Sequence, residues 1–263
     1  MMVLLSIAIV IALLITIALP IAAGFWMNKK FGVPWRIISY GALGYFLVQA
    51  LVTLLFNGFA TLVNNGTLAL SDQAFYVAQI GISIFLGALL GVLIRWAGMK
   101  YLKEELDKLE AAYGIGIGYG GAESIMLVGL PLLTTFITML TNLNINPETT
   151  TLDPAVVTQL EELWQVPAFI PLAGSLERIS ALVMHITVTI LVLQVFQRKN
   201  NLFLAAAVGV ELLINGLIAG LSEAGLMYGW VILISVVLMA GNIYLLYRLN
   251  AFDLHTPERV EEN

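Results

Sequence analysis

The chain has 263 residues, 60% of them hydrophobic and only 11% charged, a balance that excludes an ordinary soluble globular domain. The formal charge of -5 counts for less than where the charges sit, and no nucleic-acid partner is expected. Cysteine is absent, which removes disulfides, cysteine nucleophiles and thiolate-bound zinc or iron-sulfur centres.

The first apolar stretch, Met1 to Trp26, has its positive charges on the far side, at Lys29 and Lys30, and reads as an uncleaved membrane helix rather than a signal peptide. Runs long enough to span a bilayer lie at Val3 to Trp26, Ile37 to Val63, Ala74 to Trp96, Ala111 to Leu140, Ile170 to Phe196, Leu202 to Leu221 and Gly225 to Leu249. The runs longer than about 25 residues are expected to tilt, to kink at a proline such as Pro20 or Pro131, or to extend past the bilayer. The expected fold is all-α, a polytopic membrane bundle of about seven helices over residues 1–250, with a tail at 251–263. The expected location is the cell membrane, with multiple passes, in a bacterial plasma membrane surrounded by lipid.

Orientation follows from the twelve Lys and Arg residues. Lys29, Lys30 and Arg36 lie between the first two spans; Arg95, Lys100, Lys103 and Lys108 lie at or between the third and fourth; Arg198 and Lys199 follow the fifth; Arg248 and Arg259 follow the seventh. The intervening loops carry none, and Arg178 falls inside the fifth span. The positive-inside rule puts the N-terminus outside and the C-terminal tail in the cytoplasm.

Two connections have their own character. Tyr101 to Glu110, YLKEELDKLE, reads as a solvated helical continuation of the third span, with Glu104 and Lys108 paired four apart. In the outer loop 141–169, Asp153 and Pro154 form a helix cap and first turn. Val156, Val157, Leu160, Leu163 and Trp164 then make an amphipathic stripe, suited to a connector packed at the outer surface or to a lid.

Ionisable groups inside a bilayer cost several kcal/mol unless partnered, which makes them functional candidates. They are Glu123 in the fourth span, Glu177, Arg178 and His185 in the fifth, and Glu211 with the polar Asn215 in the sixth. At 1.5 Å per residue Glu123 lies roughly 18 Å in and Glu211 roughly 13 Å in, with His185 at a similar level. Three consecutive spans thus offer a carboxylate, an imidazole and a carboxylate near one depth. Tyr119 with Glu123, Glu211 with Asn215, and Arg178 with His185 each share a helix face. Glu177 and Arg178 lie nearer the outer surface, where an ion pair that fixes helix packing is their alternative reading.

The segment GIGIGYGGAES at 114–124 contains a GxGxxG spacing, but it opens an apolar helix with no preceding strand, so it is no nucleotide site. Small residues four apart, Gly114 with Gly118, Gly116 with Gly120 and Gly118 with Ala122, instead allow another helix to approach closely. No cofactor motif is present. A metal would have to combine His185 with Glu123 and Glu211 without any spacing signature, so no metal is expected. No GxSxG serine-hydrolase motif occurs.

The order of GYGGAES at 118–124, SLERISALVMH at 175–185 and a polar pair four apart in the sixth span resembles the YhfC family of glutamic-type intramembrane peptidases, distant relatives of the CAAX prenyl proteases. The resemblance runs over most of the chain. It implies a water-activating carboxylate and histidine, Glu123 and His185, an oxyanion-side Asn215, and a supporting pair in Glu177 and Arg178. Four positions depart from the pattern. Gly91 and Val92 stand where a Glu-Glu pair would precede Arg95, Tyr119 replaces a glycine-flanked histidine, and Glu211 replaces a histidine.

The expected function is hydrolysis of a peptide bond in or beside the membrane, by a glutamic-type intramembrane endopeptidase whose substrate is a membrane protein or peptide. The catalytic set is Glu123, His185, Glu211 and Asn215, with Tyr119, Glu177 and Arg178 supporting it. The rivals are a pseudoenzyme that binds membrane peptides or scaffolds a partner, and a small transporter using buried carboxylates. Cysteines introduced singly at Gly66 and Lys199 should label from opposite sides of intact cells, and labelling of both from outside would overturn the topology.

Overall fold

The computed structural model of the chain describes residues 2–101, 108–143, 153–223 and 228–255. Its helices in chain order are α1 (Met2–Phe31), α2 (Trp35–Asn64), α3 (Asp72–Tyr101), α4 (Leu109–Thr141), α5 (Pro154–Gln165), α6 (Phe169–Gln197), α7 (Leu202–Glu223) and α8 (Tyr228–Arg248). All but α5 are long and apolar enough to cross a membrane, so the seven spans expected from hydropathy are present and the chain is a multi-pass membrane protein. Residues 102–107, with Glu104, and the end of the tail beyond residue 255 lie outside the described residues.

Large apolar side chains such as Leu43, Leu54, Val77 and Val237 cover the outer faces, where lipid is the solvent. The interior is organised around α6, which packs against α1, α3, α4, α7 and α8. Residues 187–195 of α6 are buried on every face, as expected of a helix hydrophobic all round.

Both prolines distort their helices, and the distortion takes the form of a π turn. One occupies Leu14–Ala18 before Pro20, the other Ile125–Gly129 before Pro131. Proline has no N–H for the carbonyl four residues back, so the ladder slips locally to a longer repeat. At Pro20 the deprived carbonyl is that of Thr16, and the Ser124 hydroxyl of α4 donates to it at 3.0 Å. The two turns pack against each other. A side chain at Gly129 would meet Ile17 Cγ1 at 2.6 Å.

Glycines bring α4 into backbone contact with two neighbours, as their spacing predicts. A Cβ at Gly118 would run into the carbonyl oxygen of Ile38 on α2, and one at Gly41 of α2 into that of Ile115. On another face, a Cβ at Gly116 would stand 2.7 Å from Ile186 Cα of α6, and one at Gly120 would stand 2.9 Å from the His185 ring. Glycine is required at these positions because the facing atoms are largely backbone and cannot swing away.

The amphipathic helix expected between the fourth and fifth spans exists, and Asp153 caps it by accepting from the Ala155 N–H at 2.8 Å. Val157, Leu160 and Trp164 are buried, and Trp164 joins a cluster with Leu5 and Ile9 of α1 and Met139 of α4. Val156 is exposed, so the buried stripe is narrower than its sequence pattern. This helix is a connector packed on the ends of two spans. Residues 144–152 of its loop lie outside the described residues.

The substitution Gly118→Ala should destabilise the protein by about 2 kcal/mol or more, because the added methyl overpacks against backbone. Gly209→Ala, where a Cβ meets nothing within 4 Å, should be neutral or stabilising by up to about 1 kcal/mol. Unfolding in detergent, followed by circular dichroism, measures both.

Candidate active site

Glu123, His185 and Glu211 converge, from α4, α6 and α7 respectively. His185 Nε2 lies 2.9 Å from Glu123 Oε2, and His185 Nδ1 lies 3.9 Å from Glu211 Oε1. The imidazole is buried, and α4 admits it because Gly120 has no side chain at the contact.

Arg95 stands at the centre of the cluster. Its position near the end of the third apolar run counts it among the loop charges, yet it is 0% exposed and turned into the bundle. Arg95 Nη2 donates to His185 Nδ1 at 2.9 Å and Nη1 donates to Glu211 Oε2 at 3.3 Å. Its guanidinium carbon sits 3.9 Å from the centroid of the Tyr119 ring, a cation-π contact that caps the charge on one side. Tyr119 also leans on His185, with ring centroids 5.0 Å apart. The positive-inside pattern therefore loses one of its residues to the interior. The signal that could have placed Arg95 inside is the arginine of the family pattern in the third span.

The Arg95 contact fixes the histidine tautomer. A guanidinium only donates, so Nδ1 must accept, and the ring proton sits on Nε2 and is given to Glu123. Arg178 holds the other oxygen of Glu123, with Nη1 to Oε1 at 3.1 Å, and makes a two-pronged pair with its neighbour Glu177 through Nε at 2.7 Å and Nη2 at 2.5 Å. Glu123 is thus gripped from both sides by groups seven residues apart on α6.

A cavity of about 450 Å³ opens beside this network. It is lined by Tyr119, Glu123, Glu177, Arg178, Glu211 and Asn215, so every residue singled out from the sequence except His185 reaches its wall. His185 and Arg95 lie behind it. Gln49 and Thr53 of α2 and Ser83 of α3 add polar groups that sequence reasoning did not identify. The four-residue spacing of Gln49 and Thr53 on one apolar helix was the available signal.

Three of the four departures from the family pattern meet at one point. A Cβ at Gly91 would stand 3.0 Å from Tyr119 Oη, 3.1 Å from Arg95 Nη1 and 3.4 Å from Glu211 Oε1. The space left at Gly91 is therefore bordered by the tyrosine and the glutamate that replace histidines, while Val92 is buried in the apolar core.

Exchanging Arg95 for Met should cost about 3–5 kcal/mol by leaving Glu211 buried without its cation, and Glu211→Met should do the same to Arg95. The double variant should lose less than the sum of the two. A double-mutant cycle of unfolding in detergent checks this, and strict additivity would show that the pair is not coupled.

The family model described as YhfC intramembrane metalloprotease matches residues 15–238. The chain is also 24% identical over 212 residues to the uncharacterized membrane protein YhfC of Bacillus subtilis (strain 168), covering 76% of this chain and 79% of that relative. The family description implies a metal, and the donor set does not fit one. Both nitrogens of His185 are engaged, and each carboxylate near it carries a guanidinium partner. Among the described residues no group of three or more His, Cys, Asp or Glu side chains is arranged to hold an ion. Two guanidinium charges beside the would-be ligands oppose a further dication.

Proposed function

Because the chain belongs to the YhfC intramembrane metalloprotease family, we propose that it is an intramembrane endopeptidase working by carboxylate chemistry, in a bacterial plasma membrane, on a membrane protein or peptide. The observation that carries this reading is the Glu123 carboxylate, held on one oxygen by His185 and on the other by Arg178, at the wall of a polar cavity that Asn215 also lines.

In this reading Glu123 takes a proton from a water in the cavity as the water oxygen attacks the carbonyl carbon of the scissile bond. The side-chain amide of Asn215 donates to the oxyanion that develops. The proton on Glu123 then passes to the amide nitrogen as the C–N bond breaks, releasing a carboxylate and an amine. Each oxygen of Glu123 retains a further lone pair for this exchange after serving its protein partner. His185 acts through Glu123: its Nε2–H orients the carboxylate, and its Nδ1 is held by Arg95. Glu211 holds Arg95 in place and forms part of the cavity wall, and Tyr119 covers the guanidinium face.

A second reading, a binding protein that retains the fold without turnover, is favoured by one specific observation. Neither nitrogen of His185 is free to serve as a base. Fold alone does not decide between the two readings.

Cleavage of a fluorogenic membrane peptide in reconstituted vesicles tests the proposal. Glu123→Gln and His185→Ala should each abolish turnover, and the double variant should be scarcely worse than either, because residues acting as a unit are non-additive. Asn215→Ala should lower kcat by about 10²–10³ with little change in KM. Dialysis against a chelator should leave the rate unchanged, and loss restored by added zinc would overturn the carboxylate mechanism. Equal background rates for wild type and all variants would establish the binding reading in its place.

A further inference from the structure

A second cavity lies on a different face of α4 from the polar one. It has a volume of about 590 Å³ and runs between the C-terminal half of α1, the first turns of α2 and the middle of α4. Its wall is apolar, with Pro20, Ile21 and Phe25 on one side, Trp35 and Ile38 on another, and the glycine face of α4 at Gly118 and Gly121 as its floor. The polar cavity uses Tyr119, Glu123 and Leu127 of the same helix, so the two spaces share a wall without sharing a lining residue.

The cleft is aromatic toward the α1–α2 connection, and that connection is basic in sequence. Ile21, Phe25 and Lys29 lie four apart on one stripe of α1, so the stripe that lines the cleft leads directly to an ammonium group. Lys30 and Arg36 stand nearby in sequence, and residues 27–36 contain no acid. The connection is rigid. Gly32 takes the left-handed conformation at φ 68° to end α1, and the Asn28 side chain donates to the Val33 carbonyl at 2.9 Å. Phe25 and Trp35 meet edge to face at 4.7 Å between centroids, and Lys30 lies 5.2 Å from the Trp26 ring. Tryptophan and lysine at a helix end mark the level of lipid head groups.

We propose that this cleft is a binding site for an anionic phospholipid, with one acyl chain along the α4 wall at Ile117, Ala122 and Met126 and the phosphate near Lys29 and Lys30. An apolar void of this size within hydrocarbon forfeits the dispersion contacts of its lining, and it lacks the polar groups that would hold water. An acyl chain supplies those contacts. Lys29 and Lys30, about one turn beyond the cleft-lining Phe25 on the same helix, favour a head group with net negative charge over a zwitterionic one. The proposal is independent of the chemistry at Glu123.

The test is native mass spectrometry of the full chain, extracted in mild detergent from vesicles of equal phosphatidylglycerol and phosphatidylcholine. Wild type should retain one phosphatidylglycerol at least about tenfold over phosphatidylcholine. Each of Lys29→Gln and Lys30→Gln should lower that preference about fivefold. Ile21→Trp, at a partly lipid-facing position lining the cleft, should abolish retention while the circular dichroism spectrum stays the same. Equal retention of the two lipids by wild type would overturn the proposal. So would an Ile21→Trp protein that keeps phosphatidylglycerol as wild type does, since the head group would then be adhering to the helix end without a seated chain. Should Ile21→Trp fold poorly, quenching of Trp35 in a single-tryptophan variant by chain-brominated phosphatidylglycerol replaces it. Quenching no stronger than by chain-brominated phosphatidylcholine is then the overturning result.

Discussion

A guanidinium in the interior of a membrane bundle must be surrounded by compensating groups, and much of this site is arranged around Arg95. Desolvating such a charge without partners costs far more than a small domain can absorb. Arg95 receives a carboxylate from α7, an imidazole nitrogen from α6 and an aromatic face from α4, which together tie α3 to three other helices. The same contacts dictate the histidine tautomer. The tautomer in turn dictates that Glu123 is the acceptor of the ring proton. The orientation of the carboxylate at the cavity wall is thus a consequence of a cation that never touches the cavity.

Such a network requires close helix packing, and glycine provides it. The α4 helix has no side chain to lose at Gly116, Gly118 and Gly120, so its backbone contacts α2 on one face and α6 on another. Close approach to α6 brings His185 within hydrogen-bonding distance of Glu123. The proline-induced π turns serve the same end. Ser124, the residue after Glu123, repairs the carbonyl that Pro20 leaves without a donor, which anchors α1 beside the functional turn of α4. A π turn in one span and a catalytic candidate in another are therefore joined through one hydroxyl.

Changes that look like separate losses against the family pattern are one structural event. Gly91, Tyr119 and Glu211 border a single small volume around Arg95 Nη1, so a carboxylate side chain at position 91 would collide with the groups now present. Restoring one family residue alone would overfill the space. The rebuilt site retains carboxylate, imidazole and amide groups but distributes their hydrogen bonds inward. That distribution leaves Glu123, which also lines the cavity, as the carboxylate hydrogen-bonded to the histidine.

The sequence by itself determined the class of protein, the seven spans, the two prolines that interrupt long helices, the glycine faces of α4 and the common depth of Glu123, His185 and Glu211. Hydropathy, proline chemistry and the 3.6-residue period are local properties that each helix carries alone. Only the tertiary structure decided which charges pair. Arg95 has a side chain long enough to reach either toward the membrane surface or into the bundle, and its distance from the end of an apolar run does not distinguish the two. Its rotation is set by Glu211, 116 residues away in sequence, and by the space left at Gly91. The packed state of α5 and the apolar cleft beside α1 are likewise properties of neighbouring surfaces. A pattern along one helix records which face is apolar, but the neighbour that covers that face belongs to the fold.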